Sequence, residues 1–191
     1  RKYDTCWQQD KAQFWHRRTR QPAAQALKRI SQSVVRISKH SDEIMLSPNE
    51  TLLLIIDVQG RLAPAVFGAD KLERNIQKLI RACHVLEVPL LVTEQYPKGL
   101  GNTIPSLREL MVEAVVVEKS SFSCCGSQEF MRQLRALNRN DILIAGMETH
   151  VCVYQTAIEL LDFGYNVHLL TDCVSSRSEE NRELGIRCIE K

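Results

Sequence analysis

The sequence has no apolar run long enough to cross a bilayer. Its longest, Leu52–Ile56, holds five residues, against the roughly 18 that a spanning helix needs. It has no CxxC pair and no Cys/His spacing of the zinc-site kind, so its seven cysteines do not read as metal ligands. Nor do they form a regular disulfide framework, and free thiols of this kind fit a reducing compartment. No internal repeat is visible. A surplus of positive charge is also missing from most of the chain. Residues 45–191 carry 15 Lys and Arg against 19 Asp and Glu, and a mildly acidic body is not that of a nucleic-acid-binding domain.

What is present divides at about residue 44. Residues 1–44 hold 10 Lys and Arg against 4 Asp and Glu, a basic extension read as helical or disordered. Trp7, Phe14 and Trp15 show no period within it. Ala23, Leu27, Ile30, Val34 and Ile37 recur in steps of four and three, which predicts one face of an amphipathic helix. The stretch is rich in Arg and Ser and poor in acids, a composition shared with organelle transit peptides. It can equally be sequence upstream of a start at Met45. The localisation expected is cytoplasmic, with mitochondrial as the alternative if the stretch is a transit segment.

From residue 45 onward, 44% hydrophobic and 25% charged composition overall predicts a packed core. Leu52–Ile56 reads as a strand covered on both faces in a parallel sheet. A helix is expected over about 70–86, with Leu72, Ile76, Leu79, Ile80 and Cys83 inward. Further strands are expected at Leu90–Thr93, Ala114–Val117, Ile142–Ala145 and Val167–Leu170. Helices are expected near 106–110, 127–137, 150–163 and 178–190, with Gly164 stopping the third. Alternating strands and helices imply right-handed crossovers and a three-layer, doubly wound, mostly parallel α/β sheet. In such folds ligands bind beyond the carboxyl ends of the strands. The residues there are Asp57, Glu94 to Tyr96, Glu118-Lys119, Glu148 to Cys152 and Thr171-Asp172.

Three of these carry complementary chemistry. Asp57 ends the most apolar strand, where desolvation raises proton affinity unless a cation compensates. Lys119, at another strand end, is such a cation. Cys152 lies near a helix start, where backbone N–H groups and the helix dipole favour a thiolate. Together they are a base, a cation and a nucleophile at one rim. Taken singly, each has a plainer account: a turn cap for Asp57, a solvated strand end for Lys119, core packing for Cys152.

The segments LLLIIDVQ, TEQYPKGLGNTIPSL, VVEKSSFS and ILIAGMETHVCVYQTAIELLDFGYNVHLLTDCVSSRS resemble the isochorismatase-like cysteine hydrolases. The resemblance runs from about residue 50 to 191, with the loop TEQYPKGLG closest to the isochorismatase-domain-containing and YcaC-like branch. It implies an Asp57-Lys119-Cys152 triad that cleaves a small amide or related C–N bond through a thioester. It also implies a cis peptide at Met147–Glu148, and an oxyanion hole from the backbone N–H groups of Glu148 and Cys152. Gln59, Gln95, Tyr96 and Phe122 are the candidate pocket residues. Nicotinamidases of this superfamily bind a metal through an Asp and two His after the first catalytic aspartate. GRLAPAVFGADKLE has no histidine, so neither metal nor cofactor is expected. The partners implied are a small-molecule substrate and further copies of the chain in a homo-oligomer, with no nucleic acid and no membrane. Two other functions are compatible with the fold: a catalytically silent binding protein, and an isochorismatase-type vinyl-ether hydrolase. Chains of the family commonly continue beyond the equivalent of Lys191 into another strand and helix.

Overall fold

The computed structural model describes residues 34–37, 46–111 and 113–191. The remainder of the basic extension, including Cys6, Trp7, Phe14, Trp15, Ala23, Leu27 and Ile30, lies outside the described residues. Six strands form one sheet: β1 (Val34–Ile37), β2 (Thr51–Ile56), β3 (Leu90–Gln95), β4 (Val115–Lys119), β5 (Asp141–Met147) and β6 (Asn166–Ser175). Their spatial order is β1-β6-β5-β2-β3-β4. Five pair in parallel, and β1 pairs antiparallel with β6. The helices are α1 (Ala69–Val85), α2 (Pro97–Leu100), α3 (Pro105–Arg108), α4 (Gln128–Leu137), α5 (Tyr154–Asp162) and α6 (Glu179–Ile189). Among the described residues, no helix is long and apolar enough to cross a membrane.

The continuous burial of β2 and β5 follows from their place at the centre of the sheet, with both faces covered. Successive side chains point to opposite faces. Leu52, Leu54 and Ile56 pack with Phe130 and Leu134 of α4, Ala157 and Leu160 of α5, and Ile186 and Ile189 of α6. Leu53 and Ile55 point to the other face, covered by the buried stripe Leu72, Ile76, Leu79, Ile80 and Cys83 of α1.

The helical reading fails at Val34–Ile37, which is strand, with Val34 opposite Leu170 and Ile37 opposite Val167. The segment VVRI is mostly β-branched and favours a pleated conformation. It also satisfies the N–H and C=O groups that β6 would otherwise expose at its edge. The sheet thus takes in residues from the stretch read as a separate extension. β6 differs too. It runs to Ser175, so Thr171 and Asp172 sit within the strand and not beyond its end. The register against β5 shifts between Ile144 and Gly146, and past that bulge the ladder resumes with Gly146 opposite Val174 and Met147 opposite Ser175.

Strand order reverses between β2 and β5. After β2 the chain winds outward through β3 and β4, then returns past them to lay β5 on the other side of β2. The crevice at such a reversal is where open α/β sheets bind ligands. Its walls are the segments that follow Ile56 and Met147.

Candidate active site

Register brings the site together. Leu91 and Val117 lie in the core cluster under α4 and α5, so Thr93 and Gln95 of β3, and Lys119 of β4, share that face by alternation. β3 and β4 pair with Gln95 opposite Lys119, and β2 ends with Ile56 opposite Thr93 on one side and Gly146 on the other. Asp57 follows at once. Simple alternation would send its side chain to the opposite face, but its backbone is left-handed, with φ at 53°. Aspartate is among the few residues that tolerate this. The turn carries its carboxylate back over the face that holds Thr93 and Lys119.

Asp57 is fully buried. Its N–H donates to the Thr93 carbonyl at 3.1 Å. Its Oδ1 accepts from the Thr93 hydroxyl at 2.8 Å, and its Oδ2 accepts from Lys119 Nζ at 2.7 Å. The Lys119 ammonium also reaches Gln95 Oε1 at 2.8 Å and the carbonyls of Ser121 and Phe122, each at 3.1 Å. Both charged side chains are completely shielded from solvent. Such a pair is tolerable only when the remaining donors and acceptors are also matched, as they are around this ammonium.

Cys152 sits in a single π-helical turn, Thr149–Val153, between β5 and α5. π-turns of this kind recur at functional sites. The Met147–Glu148 peptide is cis, and the N–H groups of Val151 and Val153 both donate to the Glu148 carbonyl, at 3.0 and 3.2 Å. α6 packs against the turn so closely that a Cβ on Gly185 would lie 2.7 Å from His150 N. The segment after β6 clamps it further: His150 Nδ1 and Ser176 Oγ lie 2.9 Å apart, and Arg177 pairs with Glu148 at 3.2 Å. Residues 176–177 therefore take the rim position that the sequence assigned to Thr171 and Asp172.

Cys152 is 8% exposed. Burial, the negative charge of Asp57 and a hydrogen bond to that carboxylate push its thiol up to about 12, with Lys119 pulling the other way. The helix start was expected to favour a thiolate. Burial of the thiol works against that, and Asp57 is the carboxylate beside it. The arrangement can therefore move a proton from sulfur to carboxylate when an electrophile arrives, with the ammonium fixed beside the carboxylate. A second sulfur lies close by: Cys124 Sγ is 3.7 Å from the Thr93 hydroxyl.

The four candidate pocket residues separate. Gln59 is fully buried, and its amide is committed to backbone: Nε2 donates to the carbonyls of Gln95 and Gly101, while Oε1 accepts from Gln95 N–H at 2.7 Å. These bonds tie the loop 96–104 to the end of β3. Gln95 is likewise spent on Lys119 and on the Ser120 carbonyl, at 2.9 Å. Tyr96 and Phe122 present exposed rings beside these residues, and the Tyr96 ring occupies the space where a Cβ on Gly99 would lie. Glu94 points away from the site. Its buried carboxylate takes Thr103 N–H and hydroxyl, Asn102 and Arg108, which folds the loop back on the sheet. Thr93 and Cys124 were missed by sequence reasoning. The available signal was a hydroxyl residue in the otherwise aliphatic run Leu90–Thr93. Among the described residues, no three His, Cys, Asp or Glu side chains are grouped to hold a metal ion.

The Isochorismatase domain family matches residues 51–191. Isochorismatase family protein 1A of Dictyostelium discoideum is 38% identical over 146 residues, which cover 74% of this chain and 70% of that protein. The structure of MAR1 ribonuclease from Caenorhabditis elegans superposes with a TM-score of 0.72 at 35% identity, covering 76% of this chain and 74% of that one. The Escherichia coli YcaC gene product, an octameric hydrolase of unknown specificity, shares the fold with a TM-score of 0.74 at 22% identity, covering 78% of this chain and 76% of that one. On the domain match and the shared identity together, the chain belongs to the isochorismatase family.

Proposed function

We propose that this isochorismatase-family hydrolase cleaves a small amide, or a related C–N bond, through a covalent thioester on Cys152. The observation that carries the reading is the meeting of one buried carboxylate with both a buried ammonium and a buried thiol. As the sulfur attacks the substrate carbonyl carbon, its proton passes to Asp57. The new C–S bond leaves a tetrahedral oxyanion, to which the backbone N–H groups of Glu148 and Cys152 donate in this scheme. Collapse expels the amine, which takes the proton from Asp57, and leaves the thioester. Asp57 then removes a proton from water, the resulting hydroxide attacks the thioester, and the carboxylic acid departs as the sulfur regains its proton. Lys119 keeps Asp57 in place through its hydrogen bond to Oδ2. No histidine follows Asp57 within residues 58–73, so the scheme routes no step through a metal.

The scheme is tested by ammonia release across a panel of small primary amides, with intact-mass detection of an acyl adduct. Wild-type protein should turn over at least one amide, while Asp57→Asn, Lys119→Ala and Cys152→Ser should fall by at least about a hundredfold, the scale of losing a general base. Turnover by Cys152→Ser at the wild-type rate would refute the thioester. For the assembly, the exposed rings of Phe67, Tyr96 and Phe122 and the octameric YcaC favour a homo-oligomer. Light scattering that gave only monomer mass at micromolar concentration would refute it.

A further inference from the structure

Thr93 is fully buried and touches Asp57 twice, through its carbonyl and through its hydroxyl. The groups that face Asp57 are Lys119 from β4, Cys152 from the turn after β5, and Cys124 from the loop after β4, through Thr93. Lys119 holds one carboxylate oxygen. A single contact leaves the rigid carboxylate plane able to turn about Cβ–Cγ, and a second contact on the other oxygen fixes it. We propose that Thr93 is a positioning residue: its hydroxyl, given its direction by the Cys124 thiol behind it, holds Oδ1 and so presents Asp57 to Cys152. The inference rests on the reading of Asp57 as the acceptor of the sulfur's proton.

The direction of this chain of donors is what gives Thr93 its role. A hydroxyl has one proton to donate and lone pairs to accept with. Cys124 is fully buried, and its main chain is anchored by the N–H donating to Thr156 Oγ1 at 3.0 Å. Burial first, and the nearby Asp57 charge second, push its thiol up to about 12. It is therefore a neutral S–H donor at ordinary pH and supplies a proton to Thr93 Oγ1 at 3.7 Å. With that lone pair occupied, the Thr93 proton has Asp57 Oδ1 as its acceptor, at 2.8 Å. A donor to the charged form of a carboxylate favours that form. Taking the donor away removes that preference.

The test uses the full-length protein and iodoacetamide as the probe, following carbamidomethylation of Cys152 by peptide mass spectrometry from pH 4 to 9 in purified wild type, Thr93→Val, Thr93→Ser and Asp57→Asn. Valine matches threonine in shape but has no hydroxyl. We expect Thr93→Val to move the midpoint of the acid limb upward by about one pH unit, the equivalent of one charge-assisted hydrogen bond. Thr93→Ser, which keeps the hydroxyl, should restore the wild-type midpoint. Coincident midpoints for wild type and Thr93→Val would overturn the inference. Should Thr93→Val not fold by circular dichroism, Thr93→Ala against Thr93→Ser makes the same comparison, since both lack the methyl group and differ in the hydroxyl. Coincidence there would overturn it equally. Asp57→Asn separates the two readings. A wild-type acid limb in Asp57→Asn removes Asp57 as the proton acceptor and the inference with it. An acid limb lost in Asp57→Asn but unmoved in Thr93→Val overturns the role of Thr93 alone.

Discussion

Gly146 is the position at which the fold leaves the least freedom to the sequence, and it makes a quantitative test. It lies in β5, immediately past the register shift and one residue before the cis peptide, with φ at +124°. A Cβ built there would lie 2.1 Å from Ile56 O, 2.6 Å from Ile56 N and 2.8 Å from Ile56 C. All three are backbone atoms of the central strand, so no side chain can rotate aside. Gly164 is the natural control. Its φ is +88° and nothing lies within 4 Å of its Cβ position. Gly164→Ala should therefore cost only the conformational term, about 1 kcal/mol. Gly146→Ala should carry that term and an overpacking term of about 1–3 kcal/mol or more, since two hydrogen-bonded strands must part. With about 2–4 °C of melting temperature per kcal/mol in a domain of this size, the two variants should differ by roughly 5–10 °C by scanning fluorimetry. Activity should separate further, because Ile56 immediately precedes Asp57 and any shift of its carbonyl moves the carboxylate. Equal melting temperatures for the two variants would refute the reasoning, because the steric term would then be absent.

The buried Asp57–Lys119 pair predicts strong non-additivity. Asp57→Asn leaves an uncompensated ammonium and should cost about 3–5 kcal/mol, while adding Lys119→Met to it should recover part of that loss in urea unfolding; a double variant no better than Asp57→Asn alone would contradict it. Gly185→Ala should displace α6 from the backbone of Thr149 and His150, at about 1–3 kcal/mol, and slow Cys152 alkylation even at temperatures where the variant is fully folded. Glu94 gives a pH dependence. Burial alone would raise its proton affinity, but Thr103, Asn102 and Arg108 together hold the carboxyl below its usual range. A group depressed in the folded state stabilises above its unfolded value, about 4.3, and loses that contribution as pH falls through the folded value. Glu94→Gln should thus lose stability at pH 7 and show a flatter decline below about pH 5, read as melting temperature against pH.

The sheet was legible because its central strands are apolar on both faces, and such runs admit few other readings. The same simplicity hid β1. A four-residue strand acquires its identity from the β6 edge it pairs with, and in sequence Val34 and Ile37 fit a helical stripe equally well. At the site, Asp57 and Lys119 could be read from strand ends, because a carboxylate or ammonium after an aliphatic run is a conspicuous break. The residues that orient them could not. Gln59 and Gln95 have the composition of pocket walls, yet their amides are consumed by backbone and by Lys119. Thr93 has the composition of an ordinary strand residue, yet it is the link between Asp57 and Cys124. What distinguishes the two sets is register: a shift of one residue between β3 and β4 would send Lys119 to the opposite face and leave Asp57 buried without a cation. The sequence specifies that register through the alternation of Leu91, Thr93 and Gln95 with Val117 and Lys119, so the meeting of Lys119 with Asp57 depends on strand pairing as much as on the identity of the two side chains.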